Sequence, residues 1–377
     1  MKQKTTPTNN LNKVYETDAS QMKGKPSEVI IPETILEVQH AVKSHHNITA
    51  RGGGTGLAGG AVPQKGLVID LSKLNKILKF DKERFSVEVE AGIVLDDLNE
   101  FLEEHGLEFP IQPSSHEVCT IGGMIATDAV GSRAVKYGRT SKWIDWIEII
   151  DSEGELHKKG KTELHDFAGL EGITGIIVRA SLHLIEKKER TAGFLKRDTL
   201  EEILYIVKEL KRNPNVCMIE FLDKKVSDLL GLGQSYHIFV EYESNEGNMR
   251  GEGYKDAILL RDKVFPLLAE HGYTRIEDPK IFVDKFPILM KWFEENEIPI
   301  YGHLSVGIIH PCFSKETEKK IPEMMKLIKR WSGQVSGEHG IGIMKKQFVE
   351  ENDKKIIHLI KKRNDPSNKF NPGKMVD

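Results

Sequence analysis

The chain has 377 residues, 39% hydrophobic and 29% charged, so it holds enough apolar material for a sizeable core and is not a disordered chain. Its 54 Lys and Arg against 57 Asp and Glu leave a net charge of −3, which lacks the basic excess of a nucleic-acid-binding protein. No stretch of about 20 residues is free of charged or polar breaks, so no membrane-spanning helix is expected. The 3 cysteines form no C-x-x-C pair, and the opening MKQKTTPTNN lacks the apolar core of a signal peptide; both point to a cytoplasmic, reducing setting.

At about 100–200 residues per domain the length predicts two or three folding units. Residues 1–25 are polar and read as a loose lead-in. Val29-Ile30-Ile31 reads as a short strand, and Pro32-Glu33-Thr34 opens a helix with Ile35, Val38, Ala41 and Val42 at helical spacing. Strands are predicted at 48–50, 67–71 and 86–90, and a helix over 94–105 closed by Gly106. Further strand-like runs lie at 146–150 and 173–185. The charge run Lys187-Lys188-Glu189-Arg190 reads as a solvated linker. Beyond it, helices (199–211, 256–271, 285–296, 318–331) alternate with strands (216–222, 236–243) and a strand pair (298–313), predicting a sheet backed by helices on one face.

The 33 glycines are only mildly more than the roughly 7% usual for a globular chain, and their placement says more than their number. Gly54-Thr55-Gly56-Leu57-Ala58-Gly59 spells G-x-G-x-x-G. A dinucleotide fingerprint of that kind needs a helix starting inside it. Here Pro63 and the strand at 67–71 follow at once, leaving no room for one. What remains is a strand–loop–strand connection headed by Arg51, in which Gly52, Gly53, Gly54 and Gly56 with Thr55 can turn backbone N–H groups into an anion nest suited to a diphosphate. The competing reading is a tight turn. A second cluster, Thr120-Ile121-Gly122-Gly123-Met124-Ile125-Ala126, allows close approach to a flat ligand or close helix packing.

Together these loops resemble the FAD-binding (PCMH-type) domain of the vanillyl-alcohol-oxidase superfamily. The nearest likeness is the branch holding the glycolate oxidase flavoprotein subunit, flavin-dependent D-lactate dehydrogenase and D-2-hydroxyglutarate dehydrogenase. Three segments extend the resemblance: Gly169-Leu170-Glu171-Gly172-Ile173-Thr174-Gly175-Ile176-Ile177, Ser336-Gly337-Glu338-His339-Gly340-Ile341-Gly342, and Phe370-Asn371-Pro372-Gly373-Lys374. It implies that Arg51, Gly52, Gly53, Gly54, Thr55 and Gly56 surround the FAD pyrophosphate. Pro113, Thr120, Gly122, Gly123 and Ala126 would line the flavin and ribityl path, Gly175 and Ile177 the adenine side, and Asn371 would lie near the isoalloxazine. Covalent members attach flavin through a His in the first glycine loop; none lies between Arg51 and Pro63, so the FAD is expected to be non-covalent.

His303 and His310 are separated by an odd number of positions, so an unbroken strand would place them on opposite faces. They converge only if the chain turns or bulges, which Gly307 permits; otherwise one belongs to the core and one to the surface. With Glu338 they would form an N/N/O set for Zn²⁺ or Mn²⁺. The resemblance implies that His303, His310 and Glu338 bind the metal and that His339 is the catalytic base, with hydride passing from the substrate's Cα to flavin N5. The family's usual Gly-Asp-Gly-Asn-Leu between the histidines is here Ser305-Val306-Gly307-Ile308-Ile309, Cys312 replaces an Asn expected to touch substrate, and Asp128 and Val130 replace an Asn and a Gly beside the flavin. Arg275 and Lys280 are candidate partners for a substrate carboxylate.

The expected fold is α+β, with a two-part FAD-binding domain (1–186 and 332–377) and a smaller αβ, ferredoxin-like substrate cap (187–331). The implied activity is oxidation of a small 2-hydroxy-carboxylate to the 2-oxo acid. With no second redox centre in the chain, electrons would pass to a separate acceptor, for example an iron–sulfur or quinone-linked partner protein. The alternatives are a non-catalytic or electron-transfer flavoprotein subunit and an NADPH-dependent reductase of the same superfamily.

Overall fold

The structure, a computed structural model, describes residues 11–376. Leu67–Asp70 is buried at every position, as expected of a strand covered on both faces, and it sits between Glu28–Ile30 and Ile48–Arg51 in a parallel sheet. Helix Ile35–Ser44, capped by Thr34, lays Val38, Ala41 and Val42 onto Ile48, Leu67 and Ile69. The chain's last segment returns to this sheet: Ile48 N–H donates to Lys369 O and Asn371 N–H to Ile48 O, and Phe370 enters the same core.

The lead-in is not loose over its described part. Tyr15 O–H donates to Asp70 at 2.6 Å, Ala19 N–H to Gly54 O at 3.0 Å, and the buried Asp18 accepts from Ala61 N–H. A polar composition concealed it, because these contacts are made by hydrogen bonds and not by an apolar stripe. Residues 1–10 lie outside the described residues.

A second, antiparallel sheet runs in the order Ile77–Asp81, Ser86–Glu90, Ile176–His183, Ile144–Ile150, Leu156–Gly160. Leu95, Leu98 and Leu102 of helix Leu95–Glu103 and Ile121, Met124 and Ile125 of helix Ile121–Thr127 share its core.

The third sheet has the order Thr191–Arg197, Tyr236–Tyr242, Val216–Leu222, Ile300–Gly302, His310–Phe313, Arg275–Ile276, with antiparallel neighbours throughout. The expected single helical face is corrected here: both faces are covered. Helices Leu200–Leu210, Phe286–Glu295 and Ile321–Arg330 pack against Phe221, Ile238 and Val240. Lys224–Leu229 and Val264–Glu270 pack against Leu222, Ile276 and Cys312 on the other side. Val216–Leu222 is buried at all seven positions, so both of its alternating faces need cover. The single helix expected over 256–271 is two, Glu252–Asp262 and Val264–Glu270. Pro266 lacks an N–H for the carbonyl of Asp262 and its ring would collide with it, so a continuous helix cannot pass.

Within the charge run, Lys187, Lys188 and Glu189 are exposed as expected of a solvated segment, and only Arg190 departs from it. Arg190 is buried beside Glu108 and, at 3.0 Å, Glu243. Arg133 makes a bidentate pair with the fully buried Glu241 at 2.9 and 3.0 Å, and Tyr254 O–H donates to the same carboxylate. Burial works against ionisation of Glu241, but Arg133 holds its pKa at about 2. This network joins Glu108, whose short strand Leu107–Glu108 pairs with Ile185–Glu186, and Arg133, at the start of helix Ala134–Tyr137, to Glu241 and Glu243 at the end of strand Tyr236–Tyr242. Removing one member of a buried pair strands the other charge, at a cost of about 3–5 kcal/mol. Arg133→Met is therefore expected to lower the urea midpoint markedly, and an unchanged midpoint would contradict the role of this network.

Candidate active site

A cavity of about 580 Å³ opens between the glycine loops and the third sheet. One wall is the loop after strand Ile48–Arg51. A side chain could not be added there: a Cβ at Gly52 would meet Thr120 Oγ1 at 2.2 Å, and one at Gly53 would meet Val118 O at 2.2 Å. Gly54 has φ +67°, and a Cβ on it would strike the Arg51 guanidinium. The glycines thus let the 52–56 and 118–123 loops touch. Among the described residues, the N–H groups of Gly53, Gly54, Thr55 and Gly56 donate to no protein acceptor. Both features fit the cofactor: the backbone is close-packed against the 118–123 loop, and its N–H groups have no protein acceptor to compete with an anion.

Of the residues expected around FAD, the cavity brings together Gly52, Gly53, Gly54, Thr55, Gly56, Pro113, Thr120, Gly123 and Ala126. It does not bring Arg51, Gly122, Gly175, Ile177 or Asn371 to the wall. Arg51 turns back and donates to Thr17 O at 2.8 Å, bracing the loop from behind. Gly122 packs on Ala91, Gly175 sits against Ile150 and Phe167, and Ile177 is core. The Asn371 amide is spent on Glu171 O (2.7 Å) and on accepting from Lys374 Nζ (2.8 Å). Lys374 also donates to Gly60 O, and burial pulls its pKa down to about 7. Thr120 has a second use as the N-cap of Ile121–Thr127, accepting from Gly123 N–H.

Opposite the glycines the third sheet presents the histidines. Tyr301 pairs with His310 across the two strands, after which Leu304–Val306 forms one 3₁₀ turn and Gly307 adopts φ +78°. This turn removes the parity problem, and ligand atoms of His303, His310 and Glu338 all lie within 4.8 Å of one another. Glu338 Oε1 is 3.1 Å from His310 Nε2 and 3.3 Å from His339 Nε2; His339 stacks on His310 at 5.1 Å. Burial pushes the His303 pKa down. Burial opposes charge on Glu338 too, yet hydrogen bonds to His310 and His339 keep its carboxyl well below the usual range. Burial likewise works against charge on His339, but Asp278 and Glu338 outweigh it and raise its pKa.

The Nδ1 atoms of His303, His310 and His339 are buried without hydrogen-bond partners. Buried polar atoms are rarely left so, and three in one small space, beside a carboxylate, fit a site completed by a divalent ion. Val306 and Ile308 pack with Val130 and Ala134, and a Cβ at Gly337 would meet Ile308 at 2.7 Å. Cys312 is fully buried and outside the cavity lining, and Asp128 is paired with Arg139 at 3.0 Å. Arg275 is turned to Glu277. Lys280 is also absent from the wall.

Three groups escaped the sequence reading. Asp278, fully buried, accepts on one oxygen from the N–H groups of Gly337 (3.0 Å), Glu338 (2.7 Å) and His339 (2.7 Å), and on the other from Lys345. Glu171 accepts from Ile341 and Gly342 N–H and reaches the cavity wall. Arg261 is on the wall, held by Glu220 at 2.7 Å and Asp262 at 2.8 Å. The adjacent acids Glu277-Asp278, followed directly by Pro279, were the available signal for the first.

Residues 26–160 match the FAD binding domain family, and residues 282–375 match the FAD linked oxidases, C-terminal domain. The chain is 33% identical to a D-lactate dehydrogenase of Anaerostipes hadrus over 236 residues, 57% of this chain and 49% of that one. It is 34% identical to a D-2-hydroxyglutarate dehydrogenase of Xanthomonas citri pv. viticola over 175 residues, 43% of this chain and 37% of that one. The matches therefore span half or less of the length of these relatives. A solved alkyldihydroxyacetonephosphate synthase shares the fold, with a TM-score of 0.66 and 17% identity over 93% of this chain and 77% of that one. No helix among the described residues is long and apolar enough to cross a membrane.

Asp278→Ala would leave Lys345 buried without its closest partner and three N–H groups without an acceptor. The expected loss is about 3–5 kcal/mol of stability, read as a lower urea midpoint. A midpoint equal to the wild type would remove Asp278 as the anchor of the 336–339 turn.

Proposed function

We propose that this chain, a member of the FAD-linked oxidase family, uses non-covalently bound FAD to oxidise a small 2-hydroxy acid to its 2-oxo acid. The observation that carries the reading is the position of His303, His310, Glu338 and His339 on the same cavity as the open N–H groups of the glycine loop. Relatives named for D-lactate and D-2-hydroxyglutarate oxidation support it. When bound, FAD supplies a two-electron acceptor, and a divalent ion at His303, His310 and Glu338 supplies a Lewis acid that acidifies a coordinated hydroxyl.

The chain's own part is positioning and proton transfer. Gly53, Gly54, Thr55 and Gly56 hold the diphosphate, and Thr120, Gly123 and Ala126 leave room beside the flavin. His339 is assigned as the base: Asp278 fixes its backbone, His310 stacks on its ring, and its imidazole faces the cavity. We assign 1–186 and 332–377 to the cofactor and 187–331 to the substrate cap. The electrons leave to a separate acceptor, and the three unpaired cysteines suit a cytoplasmic location. A second reading, an electron-transfer subunit without turnover, draws on the apolar Val306 and Ile308, since groups supporting metal-bound histidines typically matter about 10–100-fold.

Anaerobic mixing with 2-hydroxy acids is expected to bleach the flavin, and His339→Ala to abolish bleaching while retaining FAD. Bleaching at the wild-type rate in that variant would remove His339 as base; no bleaching of the wild type by any acid, with or without Zn²⁺ or Mn²⁺, favours the second reading, and bleaching by NADPH alone favours a reductase. His303→Ala is expected to lower the bound Zn²⁺ or Mn²⁺ measured by elemental analysis. Acid precipitation should release all yellow colour to the supernatant; colour retained on the pellet would show a covalent flavin.

A further inference from the structure

We propose that the cavity wall beside His310 selects 2-hydroxy acids with a branched aliphatic side chain over 2-hydroxy dicarboxylates; this rests on the hydroxy-acid reading above. Tyr301 pairs with His310 and Ile276 with Cys312. Paired residues on neighbouring strands, and residues two apart on one strand, share a face. Tyr301, His310, Cys312 and Ile276 therefore point the same way, and all but the deeply buried Cys312 reach the cavity. The Tyr301 ring is 5.0 Å from that of His310, so the patch begins one side chain from the His303–His310–Glu338 group. Val264 and Phe265, brought to the wall by the helix break before Pro266, and Leu57 from the glycine loop close around it.

Charge on this wall argues the same way. Arg261 is the one Lys or Arg among the described lining residues, and it already faces two carboxylates, Glu220 at 2.7 Å and Asp262 at 2.8 Å. A second substrate carboxylate would enter a region with more acid than base and lose its hydration there. An alkyl group instead gains from burial, about fourfold in binding per methylene.

The test uses the wild-type holoprotein and 2-oxo acids, which bind without turnover, in titration calorimetry. 2-Oxoisocaproate is expected to bind at least about tenfold more tightly than 2-oxoglutarate. Phe265→Ala is expected to cut that ratio about tenfold, and Ile276→Ala serves as an independent variant should the first fail to fold. Equal or tighter binding of 2-oxoglutarate, or an unchanged ratio in folded variants, overturns the proposal. Flavin reduction by the separate enantiomers of lactate, 2-hydroxyisocaproate and 2-hydroxyglutarate separates the two claims. Fastest reduction by 2-hydroxyglutarate overturns the wall and keeps the oxidation reading. Selective binding of 2-oxoisocaproate with no reduction by any acid overturns the oxidation reading and keeps the wall.

Discussion

Asp278 is a carboxylate with no exposed surface, and a charge so placed is stable only when nearly every lone pair is used. Here the Lys345 ammonium takes one oxygen, and three successive backbone N–H groups converge on the other. That convergence bends the 336–339 segment into one shape. Glu338 and His339 are adjacent in sequence, and only a tight, pinned turn lets both side chains reach the same imidazole, that of His310. Glu171 extends the arrangement by accepting from Ile341 and Gly342. Two buried acids therefore hold a segment that has no regular structure of its own, and the geometry of the site depends on them.

The cavity itself exists only between elements. The glycine loop belongs to the parallel sheet, and the histidines belong to the six-stranded sheet. The buried pairs Arg133–Glu241 and Arg190–Glu108 tie the third sheet to helix Ala134–Tyr137 and to the short strand Leu107–Glu108. Ion pairs of this kind contribute little net stability beyond an apolar equivalent, but they tolerate almost no misalignment. They suit a joint that fixes how the six-stranded sheet sits against its neighbouring elements.

The apolar replacements between the histidines have a structural account. Val306 and Ile308 pack with Val130 and Ala134, and Ile308 lies over Gly337, directly before Glu338. The Nδ1 atoms of the three imidazoles have no protein hydrogen-bond partner. In this chain the orientation of the rings comes from stacking and packing: His310 against His339, Tyr301 against His310.

Much of this was readable from the residues alone. The glycine loop between two strands, the absence of a helix inside its G-x-G-x-x-G, the alternation of helices and strands after residue 198 and the approximate bounds of Leu200–Leu210 and Val216–Leu222 follow from short-range rules: glycine freedom, proline breaks and hydrophobic period. Motif order alone implied the FAD family and a His–His–Glu group. Tertiary structure decided the rest, because it turns on partners far apart in the chain. Arg190 looked like part of a solvated run and is buried, since Glu108 and Glu243 wait for it 82 and 53 residues away. Asn371 looked like a flavin neighbour and is spent on Glu171, 200 positions away. Local letters specify which backbone shapes are allowed. Which charge meets which, and therefore which polar atoms remain free to face a ligand, is set only when distant segments pack and water is removed between them.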